Sequence, residues 1–223
     1  NLKHFQISQN YIAFYDKLEK CNYLLESIIS LKNSPKDDRT LDYLLSTGVQ
    51  DGGQWDLFVN IVNKYGVVPK NAFPETFQSS NTNEIDGLLN KYIRKFAYDI
   101  RNNEENIEAR KEKSIKEIYS ILCSCFGIPP KTFTFEYVDK DKKYNIIKDL
   151  TPMKFYKEIV PINLDDYVSI INSPTDDKPF GKTYTVDYLG NVIEGNEVLY
   201  LNLEIERLKE LAINQLKDGE TVW

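Results

Sequence analysis

The chain has 223 residues, 41% of them hydrophobic and 28% charged, which is enough apolar material for a substantial core. No apolar run reaches the roughly 20 residues a membrane-spanning helix needs, and a net charge of −6 without a dense basic cluster argues against nucleic acid as a partner. Three cysteines, Cys21, Cys123 and Cys125, form an odd set, and the amino-terminal residues lack a charged-then-apolar secretion pattern, so a reducing, cytoplasmic compartment is the expectation.

Ser8 is placed to cap a helix whose apolar residues Tyr11, Ile12, Tyr15, Leu18, Leu25, Ile28 and Ile29 recur at helical spacing to about Leu31. Cys21 falls inside it, where burial keeps a thiol neutral. Asn33-Ser34-Pro35 interrupts the helix; Asp37 or Asp38 can cap a short successor holding Leu41, Leu44 and Leu45, which Gly48 ends. Asp51-Gly52-Gly53-Gln54-Trp55-Asp56 then leads into a helix whose apolar face is Trp55, Phe58, Val59, Val62 and Tyr65. Gly66 is its left-handed cap, and Gly66-Val67-Val68-Pro69 is a strand-like exit. Two adjacent glycines leave the backbone without side-chain cover, so another chain can approach its N–H and C=O groups. The alternative is a plain tight turn entering a helix.

After a polar stretch at Ser79 to Asn83, two helical patterns follow: Ile85, Leu88, Leu89, Tyr92 and Phe96, then Ile115, Ile118, Tyr119 and Leu122. The polar link from Arg101 to Glu105 makes them a helical hairpin. The stretch from Lys91 to Lys157 is net positive in a chain that is otherwise net negative, so it suits an acidic partner or a neighbouring subunit, with Arg110, Lys111, Lys113 and Lys116 as the contact residues. Cys123-x-Cys125 has no histidine nearby and no second pair, which favours two small half-buried residues over a metal or redox pair.

Thr132 to Tyr137 alternates, Asp139-Lys140-Asp141-Lys142 is a charged turn, and Tyr144-Asn145-Ile146 returns as the second strand of a β-hairpin. Thr151-Pro152 opens a short helix through Phe155, Tyr156 and Ile159. A strand is expected from Tyr167 to Ile171 and a hairpin from Thr183 to Val192, turning through Leu189-Gly190-Asn191. A last helix from Ile205 to Lys217 turns Ile205, Leu208, Ala212 and Leu216 inward, with Gly219 as terminator. Thr221-Val222-Trp223 reads as the start of an apolar strand with nothing to pair it, which favours a truncated chain.

DGGQWDLFVNIVNKYGVVPK at 51–70 resembles the Gly-Gly turn, helix and exit of papain-like cysteine peptidases, specifically the bleomycin hydrolase and bacterial aminopeptidase C branch. ISQNYIAFYDKLEK at 7–20, FPET at 73–76, LDDYVSIINSPTDDKPFGKTYTVDYLGNV at 164–192 and LKELAINQLKDGETVW at 208–223 extend the resemblance over most of the chain. It implies an α+β, papain-like fold, present in part: a predominantly helical half, a helical-hairpin insertion and short antiparallel strands. Residues 1–82 would form the helical core with the Gly-Gly cleft wall, 83–160 the insertion, and 161–223 the start of a β-rich half.

The same resemblance implies a segment of a cytosolic cysteine aminopeptidase that removes N-terminal residues from peptides through a thioester intermediate. It further implies no metal or other cofactor, no membrane, and a barrel-like homohexamer. Asp51, Gly52, Gly53, Gln54 and Trp55 are the expected substrate-binding residues, with Gly53 pairing with a peptide backbone and Gln54 and Trp55 bordering a side-chain subsite. The family's nucleophile lies in a Gly-Arg-Cys-Trp segment before the SQNY helix, and its histidine and asparagine beyond the Thr221-Val222-Trp223 strand; neither segment occurs here, so no catalytic residue is expected. The sole histidine, His4, reads as an exposed loop residue, and Asp165-Asp166, adjacent on an extended segment, as capping groups with opposite directions. The alternative function is a non-catalytic fragment or relative serving as an oligomerisation or binding module.

Overall fold

The computed structural model describes residues 6–160 and 162–222; His4 and Trp223, both singled out above, lie outside them. Helix α1 (Gln9–Ser30) starts where the Ser8 side chain accepts the Tyr11 N–H, and it is the axis of the larger core. Its Phe14, Cys21, Leu25 and Ile28 are fully buried. Asp38 caps α2 (Arg39–Thr47), and Gly48 ends it at φ +65°.

Helices α4 (Asn83–Asn102) and α5 (Ile107–Phe126) pair with each other and both lie on α1. Of the expected stripes, Ile85, Leu89, Phe96, Ile118 and Leu122 are buried and Ile93, Ala97, Ile100 and Phe126 join them, while Leu88 and Tyr119 are exposed. A three-to-four-residue repeat tolerates several facings, and the docking on α1 selects one; Tyr119 keeps its hydroxyl near water. The core containing these helices runs across residue 82 without a break.

Helix α3 (Trp55–Tyr65) packs on α1 on one side and on α6 (Pro152–Ile159) on another. Flanked in this way, it buries Leu57 and Ile61 beside Val59 and Val62, and leaves Trp55, Phe58 and Tyr65 only partly covered. Val59 and Val62 share a second cluster with Phe155 of α6 and with Phe135 and Leu150 of an antiparallel hairpin, β1 (Phe133–Val138) and β2 (Tyr144–Leu150). Phe155 meets Phe133 and Phe135 edge to face at 5.3 and 5.0 Å. The turn at Asp139 to Lys142 and the Thr151 cap of α6 are as the sequence predicts.

The remaining strands differ from expectation. β3 is confined to Ser169–Ile171, β4 to Thr183–Tyr184, and both flank β5 (Tyr200–Asn202) in the order β3-β5-β4. The β3–β5 pair is parallel, so the strands are not all antiparallel, and the hairpin expected over 183–192 does not form. Side chains hold that segment instead. Fully buried Asn191 donates to the Leu57 carbonyl at 2.9 Å and to Asp16 at 3.1 Å, and the Asn196 N–H donates to Asn60 at 2.8 Å. A Cβ at Gly190 or Gly195 would lie 2.5 Å from Tyr23 or 2.6 Å from Asn60, so the backbone approaches α1 and α3 too closely for a larger residue.

Helix α7 (Ile205–Lys217) has the predicted bounds, but its predicted inward face is only partly covered: Leu208 and Ala212 are half-buried, while Ile205 and Leu216 are exposed. Thr221 and Val222 form no strand. Asp165 and Asp166 lie in a 3-10 turn, Leu164–Asp166, rather than on an extended segment; the Asn163 side chain caps that turn by accepting the Asp165 N–H.

Candidate functional site

The Gly-Gly turn joins α2 to α3, and α1 fixes it from below. Lys17, only 1% exposed, places Nζ 2.5 Å from both Asp51 and Asp86, and the Thr82 hydroxyl donates to the other Asp51 oxygen. One turn further along α1, Lys20 donates to the carbonyls of Gly52 at 2.5 Å and Gln50 at 3.2 Å, and pairs with Asp16 at 2.5 Å. Burial opposes the charge on Lys17, yet its two carboxylates raise its pKa above the ordinary value. Burial also opposes the charge on Asp51, but the hydrogen bonds from Lys17 and Thr82 outweigh it and hold the carboxyl below its usual range. Asp86 shares the same ammonium and is pushed the other way, because burial dominates there.

Gly52 and Gly53 are exposed, and Gly52 has φ +76°, a conformation that favours glycine. Among the described residues no hydrogen bond engages the Gly53 N–H or C=O. A Cβ on Gly53 would come within 3.0 Å of Leu57 Cδ1. Gln54 starts α3 without a side-chain cap bond.

Three cavities meet here. One of about 490 Å³ lies between α1 and α3, lined by Ile12, Ala13, Leu57, Phe58 and Ile61 together with both glycines. A second, about 310 Å³, lies on the α2 side, with Tyr23, Tyr43 and Tyr188 in its wall. The largest, about 910 Å³, opens past Gln54 and Trp55 toward Tyr167, Ile170, Tyr200, Leu208 and Leu211. Gln54 borders all three, whereas Trp55 borders only the largest, its ring 5.4 Å from Tyr167 and 5.6 Å from Phe58. Asp51 lines the two smaller cavities and roots the turn. A ridge of bare backbone between hollows can take an extended chain along its N–H and C=O groups while side chains enter the hollows.

The sequence reading missed Lys17, Lys20, Thr82 and Asp86. The i, i+3 spacing of the lysines on one helix face was a signal for the first two; nothing local connects residues 82 and 86 with residue 51. Cys21 is buried with its thiol pushed up to about 12, and burial also raises Cys125; all three cysteines are free. Asp165 accepts from Asn63 at 3.2 Å and Asp166 from Asn163 at 2.8 Å, both at the exposed surface. Among the described residues no group of three or more His, Cys, Asp or Glu side chains is placed to hold a metal ion, and no helix is long and apolar enough to cross a membrane.

Comparison with known proteins places this geometry in a family. Aminopeptidase C of Listeria innocua is 48% identical over 225 residues, covering 100% of this chain and 51% of that protein. Bleomycin hydrolase of Mus musculus is 41% identical over 233 residues, again 100% of this chain and 51% of the relative. The crystal structure of PepW from Lactobacillus rhamnosis superimposes with a TM-score of 0.94 at 50% identity, covering 98% of this chain and 50% of that one. The chain thus spans about half the length of the relatives it matches, and its α+β architecture is papain-like. Since the family match extends over residues 1–223, the chain belongs to the Peptidase C1-like family.

Proposed function

We propose that the chain is part of a cytoplasmic cysteine-type aminopeptidase, and that its Gly52-Gly53 turn is one wall of the cleft that receives peptides. The observation that carries this reading is the unengaged, exposed backbone of Gly53 between the two smaller cavities, beside Gln54, which borders all three. Gly53 pairs with the peptide backbone in an antiparallel, strand-like manner, and Gln54 and Trp55 border a side-chain subsite. The relatives' names, aminopeptidase C and bleomycin hydrolase, support hydrolysis at the peptide's N-terminal end as the reaction class; a thioester intermediate is the part of this proposal that follows from a cysteine nucleophile. The nucleophile is none of the three cysteines here. Cys21 is buried, burial raises the Cys125 thiol, and Cys123 sits in the last turn of α5, far from any helix N-terminus. The thiol comes from elsewhere in the longer protein.

Gly53→Val in the full-length protein tests the assignment. A branched side chain blocks the approach of a second backbone, so kcat/KM should fall by about 1–3 kcal/mol in transition-state stabilisation. Unchanged kinetics in a folded variant would remove Gly53 from the site. A second reading, a non-catalytic oligomerisation or binding module, is favoured by the exposed apolar residues of α7, Ile205, Ile213 and Leu216. Hydrolysis of aminoacyl-coumarin by the full-length protein excludes it.

A further inference from the structure

We infer that Lys20 is a positioning residue for peptide binding: its hydrogen bond to the Gly52 carbonyl orients the Gly52-Gly53 peptide plane so that the Gly53 N–H points into the cleft. This rests on the reading of Gly53 as a backbone partner of the peptide. A trans peptide holds its C=O and the following N–H on opposite sides of one plane, so fixing the carbonyl of Gly52 fixes the direction of the N–H of Gly53. Lys20 reaches that carbonyl from α1, at 2.5 Å, and the N–H therefore faces away from α1's lysine.

Among the described residues no other hydrogen bond holds this plane. Gly52 has no side chain, a positive φ and open space around its Cα, and Gly53 makes no hydrogen bond of its own among the described residues. A glycine pair so placed can rotate its shared peptide unit at little steric cost. Lys20 also takes the Gln50 carbonyl, two residues before Gly52, so one ammonium spans the turn, while Asp16 holds the ammonium itself. Lys17 secures the root of the same turn through Asp51 and ties it to α4 through Asp86.

Stability alone is a weak explanation for this arrangement. Buried ion pairs regain little beyond their desolvation cost, and half-exposed ones contribute less, so two lysines converging on one short turn make sense as geometry control. A role in orientation predicts a dependence that a purely structural role does not: loss of Lys20 matters only to ligands that use the Gly53 N–H.

The experiment uses the full-length protein, a peptidyl aldehyde inhibitor, and the same inhibitor with the carbonyl that faces Gly53 replaced by a thioamide, a weaker acceptor. The parent protein should bind the oxo form about fivefold more tightly, the worth of one neutral hydrogen bond. Lys20→Met should remove that preference by weakening the oxo form alone, and Lys20→Arg should restore it. A preference retained in folded Lys20→Met, or an equal loss for both inhibitors, overturns the positioning role and leaves the Gly53 assignment standing. No preference in the parent overturns the Gly53 assignment and this inference with it. If Lys20→Met does not fold, Lys20→Leu, which likewise lacks a donor, gives the same comparison.

Discussion

Asp51 and Asp86 share one buried lysine and respond to it in opposite ways, and that difference sets the acid behaviour of the turn. Burial disfavours charge on both, but two hydrogen bonds overcome it at Asp51 and one does not at Asp86. Because the folded pKa of Asp51 is depressed, its stabilising contribution is present above the unfolded value of about 3.9 and is lost as pH falls through the folded value. Asp86, raised, carries a penalty above its unfolded value that is relieved as pH falls through its folded one. The decline of stability in acid that this pair contributes therefore comes from Asp51. Asp51→Asn should flatten the fall of Tm below about pH 4. An unaltered slope would mean that the lysine does not hold this carboxylate.

At the scale of elements, the α4–α5 hairpin separates bound basic residues from free ones. Arg110 donates to the carbonyls of Asp99 and Asn103 and so closes the tip of the hairpin, and Lys111 joins Glu26 of α1 to Glu108. Neither is available to a neighbouring subunit. Lys113 and Lys116 have only long pairs to Glu117 and Glu112, at 3.8 and 3.7 Å, and project into solvent. Of the four residues first expected to meet an acidic partner, these two remain suited to it. Lys113→Glu with Lys116→Glu should shift a homo-oligomer of the full-length protein toward smaller species while its circular dichroism stays unchanged. The effect should weaken with salt, since the Debye length is roughly 8–10 Å near physiological ionic strength. Light scattering that shows the same mass for parent and variant would remove the basic face from assembly.

Gly66 belongs to the same scale, because it is where α3 meets α6. It has φ +72°, and a Cβ there would lie 2.4 Å from the Pro152 carbonyl carbon, which is backbone and cannot swing away. Gly66→Ala should therefore destabilise by at least about 1–3 kcal/mol, read in urea unfolding. A variant as stable as the parent would show that α6 shifts freely against α3. Caps and helix ends of this kind were legible beforehand: Ser8, Gly48, Thr151 and the bounds of α7 all follow from local chemistry. Helix facing was less so, since Leu88 and Ile93 both fit an apolar repeat and only the docked α1 decides between them.

Over the whole molecule, two packed clusters meet along α1 and α3, and the Gly-Gly turn stands at the head of that seam. What the sequence hid is what joins distant segments. β5 pairs in parallel with β3 across about thirty residues, and Asn191 reaches α1 and α3 through a side chain rather than a ladder. The turn was visible as two glycines; the lysines beneath it were not, because Lys17 and Lys20 look like ordinary charges on an amphipathic helix until Asp51 and Gly52 fold onto them. The most direct test of a peptide-binding ridge is a crystal structure of the full-length protein with a peptidyl aldehyde bound. It should show the peptide backbone within about 3.2 Å of the Gly53 N–H and C=O, running antiparallel to the turn. A peptide seated in any of the three cavities with the Gly53 backbone still unpaired would contradict the account.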